Sequence, residues 1–100
     1  MQILVEGKTL PITAALRAFV KKQATKLAGL GIRITQIRVF LENVARKTGE
    51  AHRAEVRYKV EMPGRDIVVE KKGQDLYTAI IDATRRVKVQ LTKAKQRHLD

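Results

Sequence analysis

The sequence predicts an α+β fold in the order β-α-β-β-β-α, with a four-stranded sheet and two helices on one face. Residues 53–62 alternate strictly between charged and apolar side chains, as expected of an antiparallel strand with one wet face. Two longer segments, which follow Thr13 and Asp75, repeat apolar residues at helical spacing. The dipeptide Pro63-Gly64 indicates a tight turn between the last two strands.

The first strand and the first helix are predicted within residues 2–31. Gln2–Glu6 alternates polar and apolar side chains, which is typical of a strand. Thr13 stands where a helix N-cap belongs, and Gly29 and Gly31 are expected to end the helix because glycine tolerates positive φ. The apolar stripe of this helix consists of Leu16, Phe19, Val20, Leu27 and Leu30.

Three further strands are predicted at Ile34–Glu42, 53–62 and Ile67–Lys71, with a charged loop at 45–51. A helix between the first two strands makes that pair parallel through a right-handed crossover. The remaining strands then form a meander. Phe40 is out of phase with its apolar neighbours, so we expect it outside the core.

The last helix is predicted from Asp75, its N-cap, to Leu99. Its apolar stripe includes Tyr77, which we therefore expect in the core. We also expect Tyr58 in the core, because it is in phase with the apolar residues of the third strand. The other residues of the stripe are Ile80, Ile81, Thr84, Val87 and Leu91.

Length and charge limit the kinds of protein that the sequence can encode. One hundred residues with 44% hydrophobic side chains predict a single domain spanning 1–100. The formal net charge is +11 and the pI is near 10.5, which favours a polyanionic partner. Cysteine is absent, and no apolar run reaches the about 18 residues of a membrane span. Apolar alternation begins at Met1, so we expect no targeting peptide and a cytoplasmic location.

The candidate binding residues are cations that lie off the apolar stripes of the two helices. Because aromatic residues make up only 4% of the chain, nucleic acid would be bound through phosphates and shape rather than by base stacking. The alternative is a solvated helix surface, in which Asp82 pairs with Arg86. The candidate RNA-binding residues are Arg17, Lys21, Lys22, Lys26, Arg85, Arg86, Lys88, Lys93, Lys95 and Arg97.

The sequence offers no catalytic or metal-binding pattern. His52 and His98 have no partner at ligand spacing, and no glycine-rich phosphate loop is present. We therefore expect no enzyme activity, no metal, no cofactor and no small-molecule substrate. Membrane binding is disfavoured because the apolar stripe of the last helix is needed for the core.

Four stretches resemble the ribosome hibernation factors, a family that includes hibernation-promoting factor and the ribosome-associated inhibitor protein Y. They are ITAALR at 12–17, HRAEV at 52–56, GQDLYTAI at 73–80 and QLTKAK at 90–95. Their order and spacing extend the resemblance over essentially the whole chain. The chain departs from the family pattern at Val89, where many relatives carry a basic residue, and at 29–31, 71–72 and Ile81.

The resemblance implies a fold like the double-stranded RNA-binding domain and a partner, the small ribosomal subunit with its ribosomal RNA. In the family, basic side chains of both helices contact this RNA near the decoding centre, where they block mRNA and tRNA when growth slows. The positions that match family basic sites are Lys22, Lys26, Arg86, Lys93 and Lys95. The chain resembles the short form, monomeric when free, although an N-terminal part of a longer protein stays an alternative.

The predicted function is therefore a ribosome-binding translation inhibitor that occupies the mRNA and tRNA channel through its basic helices. The alternative is a general RNA-binding or RNA-chaperone module that is not specific to ribosomes.

Overall fold

A computed structural model describes residues 1–8, 10–44 and 53–99, so the predicted loop at 45–51 and His52 lie outside the described residues. The side chains of Arg97 and His98, at the end of the last helix, are also outside the described part. The elements are β1 (Gln2–Lys8), α1 (Ala14–Thr25) with a 3-10 extension (Lys26–Leu30), β2 (Gln36–Val44), β3 (Arg53–Met62), β4 (Arg65–Gly73) and α2 (Leu76–Leu99).

The four strands form one mixed sheet in the spatial order β1-β2-β3-β4. β1 runs parallel to β2, and the two later pairs are antiparallel. The register aligns Val5 with Val39, Val39 with Tyr58, and Tyr58 with Val69, so one row of buried side chains crosses the sheet. Both helices pack over this row, which confirms the predicted α+β fold and its element order.

α1 begins at the predicted cap, because Thr13 Oγ1 accepts a hydrogen bond of 3.1 Å from the Leu16 amide. The α-helix ends at Thr25, earlier than expected, and the chain continues as the 3-10 turn to Leu30. Gly31 then adopts φ +70°, a left-handed conformation that favours glycine. The predicted stop at Gly31 is thus correct, although the last turn is tighter than an α-helix.

β1 and β4 are longer than predicted because their partners extend the ladder. β1 includes Gly7, which pairs with Leu41; a Cβ at Gly7 would lie only 2.6 Å from the Leu10 carbonyl oxygen. The glycine therefore allows the following segment to fold back closely and does not end the strand. β4 continues to Gly73, which lies opposite Ala54.

The core lies between the sheet and the helices. Val20 and Leu27 from the α1 side, and Ile80, Val87 and Leu91 from α2, have no exposed surface. Burial of such a side chain stabilises a fold by about 1.5–3 kcal/mol. The helices are thus anchored by one face each, and their opposite faces stay free.

Tyr58 is fully buried, as predicted, whereas the prediction for Tyr77 is wrong. Tyr77 keeps 44% of its surface exposed and meets Phe19 edge to face, with 4.8 Å between ring centroids. Its position lies at the border of the apolar stripe, where helical spacing alone does not separate a core side chain from one covering the gap between two helices.

Candidate polyanion-binding surface

The basic side chains of α2 lie on its free surface in two rows. Arg86 and Lys93 are seven residues apart, about 20° from each other around the helix axis. Lys88 and Lys95 form the second row, at the opposite border of the buried stripe. Arg85 lies on the crest between the rows, and all five side chains are exposed.

The Lys88–Lys95 row faces α1. Tyr77 shares this border of α2 and contacts Phe19 of α1, and Lys95 reaches the 3-10 turn that extends α1. On α1, Lys22 and Lys26 lie on the same side as Phe19 by helical spacing. The groove between the helices is therefore bordered by cations from both of them.

The remaining predicted cations lie on the outer flanks. Arg17 and Lys21 are exposed on the side of α1 away from Phe19. Arg86 and Lys93 lie on the side of α2 away from α1. The predicted residues therefore surround the helix layer rather than forming one compact patch, and Arg97 belongs to the part whose side chains are not described.

Lys95 differs from the other helix cations because it makes a tertiary hydrogen bond. Its Nζ donates to the carbonyl oxygen of Leu30 at 2.9 Å, where the 3-10 turn ends. A lysine at the end of a helical segment satisfies a carbonyl that lacks an internal partner. Lys95 thus ties α2 to the end of α1, and sequence reasoning had no signal for this role.

The other face of the sheet is free of helices and carries both signs of charge. Arg57 Nε lies 3.7 Å from Glu70 Oε1, with its guanidinium 6.0 Å from the centroid of the Phe40 ring. Phe40 is therefore outside the core, as predicted. The cations of this open face are Lys8, Arg38, Arg53, Arg57, Lys59 and Lys72; its carboxylates are Glu6, Glu42, Glu55, Glu61, Asp66 and Glu70.

Cross-strand pairs neutralise much of this open face. Lys72 Nζ lies 3.6 Å from Glu55 Oε1, and Arg38 Nε lies 3.5 Å from Glu61 Oε2. Gln36 Nε2 also donates to Glu61 Oε2, at 2.6 Å. Cross-strand contacts thus account for both Glu55 and Glu61 on this face.

The helices, by contrast, carry almost only positive charge. Their described side chains include the nine cations Arg17, Lys21, Lys22, Lys26, Arg85, Arg86, Lys88, Lys93 and Lys95 and one carboxylate, Asp82. Within residues 1–8, 10–44 and 53–99, none of these nine forms an ion pair, so the proposed Asp82–Arg86 pair is not made. The charge of +11 is thus concentrated on the helix side, where a polyanion would meet little opposing charge.

Asp75 caps α2 as predicted. Its Oδ2 accepts hydrogen bonds from the Thr78 hydroxyl at 2.7 Å and from the Thr78 amide at 2.9 Å. The hydroxyl bond and then the amide bond lower the pKa of the Asp75 carboxyl. The carboxylate therefore stays ionised and positions the start of α2, which is a structural role.

A cavity on the open face of the sheet lies away from the helix cations. It has a volume of about 530 Å³, and its charged lining has as many carboxylates as cations: Glu6, Glu42, Glu55 and Glu70 against Lys8, Arg57, Lys71 and Lys72. This mixture does not favour an anion. Among the residues that the structure describes there is no cluster of three metal-ligating side chains, and no described helix could cross a membrane.

Similar folds are found in proteins of known structure. A ribosomal subunit interface protein from Coxiella burnetii superimposes with a TM-score of 0.81 at 23% identity, over 96% of this chain and 99% of that one. The protein Y N-terminal domain of Thermus thermophilus gives 0.77 at 30% identity, over 93% and 98% of the two chains. These two proteins and this chain therefore share one fold class, small α+β proteins with a four-stranded mixed sheet and two helices on one face.

Sequence comparison gives a family. Residues 3–99 match the Sigma 54 modulation protein / S30EA ribosomal protein family. The ribosome hibernation promoting factor of Escherichia coli K12 is 35% identical over 97 residues, 97% of this chain and 96% of that protein. The protein of the same name from Azotobacter vinelandii is 26% identical over 100 residues, all of this chain and 88% of that protein. The chain belongs to the Sigma 54 modulation protein / S30EA ribosomal protein family, which confirms the resemblance to hibernation factors.

Proposed function

We propose that residues 1–100 form a single ribosome-binding domain that acts as a hibernation factor and inhibits translation. The basic helices enter the mRNA and tRNA channel of the small subunit and contact ribosomal RNA phosphates. The sheet holds the helices at a fixed spacing. Before binding, the protein is a free monomer in the cytoplasm. Once bound, it acts by occupying space in the channel, without a catalytic step.

The observation that supports this proposal most strongly is the separation of charge between the two faces. Nine described helix cations face solvent without an ion pair, while the open sheet face carries six cations and six carboxylates. Each cation that neutralises a phosphate releases a condensed counterion, so affinity arises without base readout. A rigid, positively charged surface binds RNA phosphates whatever the base sequence. Such a surface suits a channel with walls of RNA, because the shape of the channel then determines where the protein binds.

Occupancy of the channel is tested by competition. Small subunits are loaded with the labelled protein and then challenged with an mRNA and its matching tRNA, and release of label is followed. We expect each ligand to reduce the binding of the other, since binding at one site is mutually exclusive. Simultaneous binding of protein, mRNA and tRNA would contradict channel occupancy.

A general RNA-binding module remains the alternative, because phosphate contacts alone do not distinguish ribosomal from other RNA. Equal masses of small subunits and of duplex RNA are added as competitors to a fixed complex. The proposal predicts that small subunits displace the protein at much lower concentration. Equal displacement by both competitors would favour the general module.

A further inference from the structure

A second cavity lies where both helical segments end. It has a volume of about 340 Å³, which falls within the usual range of small-molecule pockets. Its apolar part is formed by Ile32, Met62, Pro63 and Ala94. Ile32 and Met62 are half-buried and pack against the core, and Ala94 is buried, so this floor is fixed by the fold.

Three cations from separate parts of the chain border this floor. Arg33 follows the 3-10 turn, Arg65 begins β4, and Lys95 lies near the end of α2. All three are exposed, and no carboxylate belongs to the lining. Neither Arg33 nor Arg65 is a predicted site residue, because they are 32 positions apart in sequence and only the fold brings them to one cavity.

Lys95 gives this end of the molecule a positive character. Helical segments end in carbonyl groups that repel anions, but the ammonium of Lys95 covers the carbonyl oxygen of Leu30 at 2.9 Å. An ammonium carries three donors, so two remain after this bond. A Cβ on Gly31 would lie 3.1 Å from the same Nζ, which shows how closely the lysine approaches the backbone.

The chemistry of the lining suits a nucleotide. Arginine binds phosphate bidentately through its planar guanidinium, and in RNA recognition the same plane also stacks on an unpaired base. The apolar floor offers the other surface that a base needs. A duplex has no base free to enter such a cavity, whereas a single strand does.

We propose that this cavity binds one unpaired nucleotide of an RNA strand, with its phosphate on Arg33 and Arg65 and its base on the Ile32–Met62–Pro63 floor. The inference rests on the proposed function insofar as RNA is the partner. Lys95 connects the cavity with the Lys88–Lys95 row, so a strand that follows this row reaches the cavity at its end. The continuity favours a nucleotide of a strand over a free nucleotide.

The site is tested by amide chemical shifts of the full chain during titration. The probes are adenosine 5′-monophosphate, adenosine, ribose 5-phosphate and a 5′-phosphorylated single-stranded tetra-adenylate. We expect shifts at Ile32, Arg33, Arg65 and Lys95, larger with the monophosphate than with either fragment. The tetra-adenylate should bind at least about tenfold more tightly, because additional phosphates contact the adjacent row.

Two results would overturn the proposal. Shifts that are confined to other parts of the helices would show that the strand does not enter the cavity. Equal affinity for the monophosphate and the tetra-adenylate would identify a free-nucleotide site instead.

A pair of double variants with equal loss of charge isolates the cavity. Arg33→Gln with Arg65→Gln should weaken tetra-adenylate binding by about tenfold, because it removes the two charged donors that hold the phosphate. Arg57→Gln with Lys72→Gln removes two charges from the open face and should change the affinity for tetra-adenylate less than about twofold. Equal weakening by both pairs would mean that net charge alone determines binding.

Failure of this site and failure of the proposed function give different results. The nucleotide titration uses no ribosomes, so its outcome does not depend on the identity of the large partner. If the wild-type chain does not co-sediment with small subunits, the proposed function is wrong. If it co-sediments but gives no shifts at Arg33 and Arg65, the cavity proposal alone is wrong.

Discussion

The hydroxyl of Tyr58 donates a hydrogen bond of 2.7 Å to Thr84 Oγ1, and Thr84 Oγ1 donates in turn to the Ile80 carbonyl oxygen at 2.8 Å. A threonine hydroxyl has one proton; since this proton goes to Ile80, the tyrosine must be the donor. Both side chains are buried. The relay therefore fixes α2 against β3 at a polar point within an apolar interface.

This relay predicts unequal effects of removing its two ends. Thr84→Val leaves the Tyr58 hydroxyl buried without a partner and should lower the free energy of unfolding by about 1–3 kcal/mol. Tyr58→Phe leaves Thr84 bonded to Ile80 and should cost about 1 kcal/mol. Urea unfolding measures both.

The double variant completes this cycle. Tyr58→Phe combined with Thr84→Val should be more stable than Thr84→Val alone, because no buried donor is left unpaired. Additive losses in the double variant would contradict the relay.

Burial gives Tyr58 an unusual titration. Desolvation raises its pKa from 10.0 to about 12. Folding favours the neutral form of Tyr58. The contribution of this neutral side chain to the free energy of unfolding is therefore complete below pH 10 and is lost as the pH rises towards 12. The chain has two tyrosines, so in Tyr77→Phe the tyrosinate absorbance reports Tyr58 alone.

We expect the absorbance of the folded Tyr77→Phe variant to change near pH 12 rather than near pH 10. The stability difference between wild type and Tyr58→Phe should also decrease above pH 10. A midpoint at the ordinary value of a tyrosine would mean that the hydroxyl is accessible to solvent.

The two glycines at the end of the 3-10 turn should respond differently to alanine. Gly31→Ala imposes a side chain at φ +70° and places a Cβ 3.1 Å from Lys95 Nζ, so it should cost about 1–2 kcal/mol. Gly29→Ala has no atom within 4 Å of the new Cβ and should change stability by less than about 0.5 kcal/mol. Thermal unfolding of the two variants provides the comparison, and equal losses would argue against the left-handed cap.

A comparison of Lys95 with Lys93 on the same helix distinguishes a lysine that also stabilises the fold from one that does not. Lys95→Gln loses the hydrogen bond to Leu30 and should reduce stability by about 1 kcal/mol. Lys93→Gln loses the same charge without that bond, so its stability should stay within about 0.5 kcal/mol of wild type. Denaturant unfolding of both variants measures this, and a stable Lys95→Gln protein would mean that the 2.9 Å contact contributes nothing.

Much of the fold follows from local sequence rules. The alternation of 53–62 predicts a strand because period two places one face on the core, and Thr13 and Asp75 predict helix starts because their side chains accept amide hydrogen bonds. The sequence predicts β1 and β4 shorter than they are, because the length of a strand also depends on how far the neighbouring strand extends beside it. For β1 this neighbour is β2, which lies beyond α1 in the sequence.

The site was less predictable because it depends on the relative placement of elements. Helical spacing indicates which cations leave the core, but it does not show that Lys95 reaches Leu30 or that Arg33 and Arg65 border one cavity. It also placed Tyr77 in the core, although this ring covers the gap to Phe19. These relationships arise from the packing of α1 and α2 on one sheet.

The most direct test of the account compares charge reversals on the two faces. Arg86→Glu with Lys93→Glu changes the helix side, and Arg57→Glu with Lys72→Glu makes the same change in net charge on the open face. Co-sedimentation with small ribosomal subunits is measured between about 50 and 200 mM salt, where phosphate contacts weaken strongly. We predict that the helix-side variant loses binding while the open-face variant retains both binding and salt dependence; equal losses, or retained binding by the helix-side variant, would contradict the account.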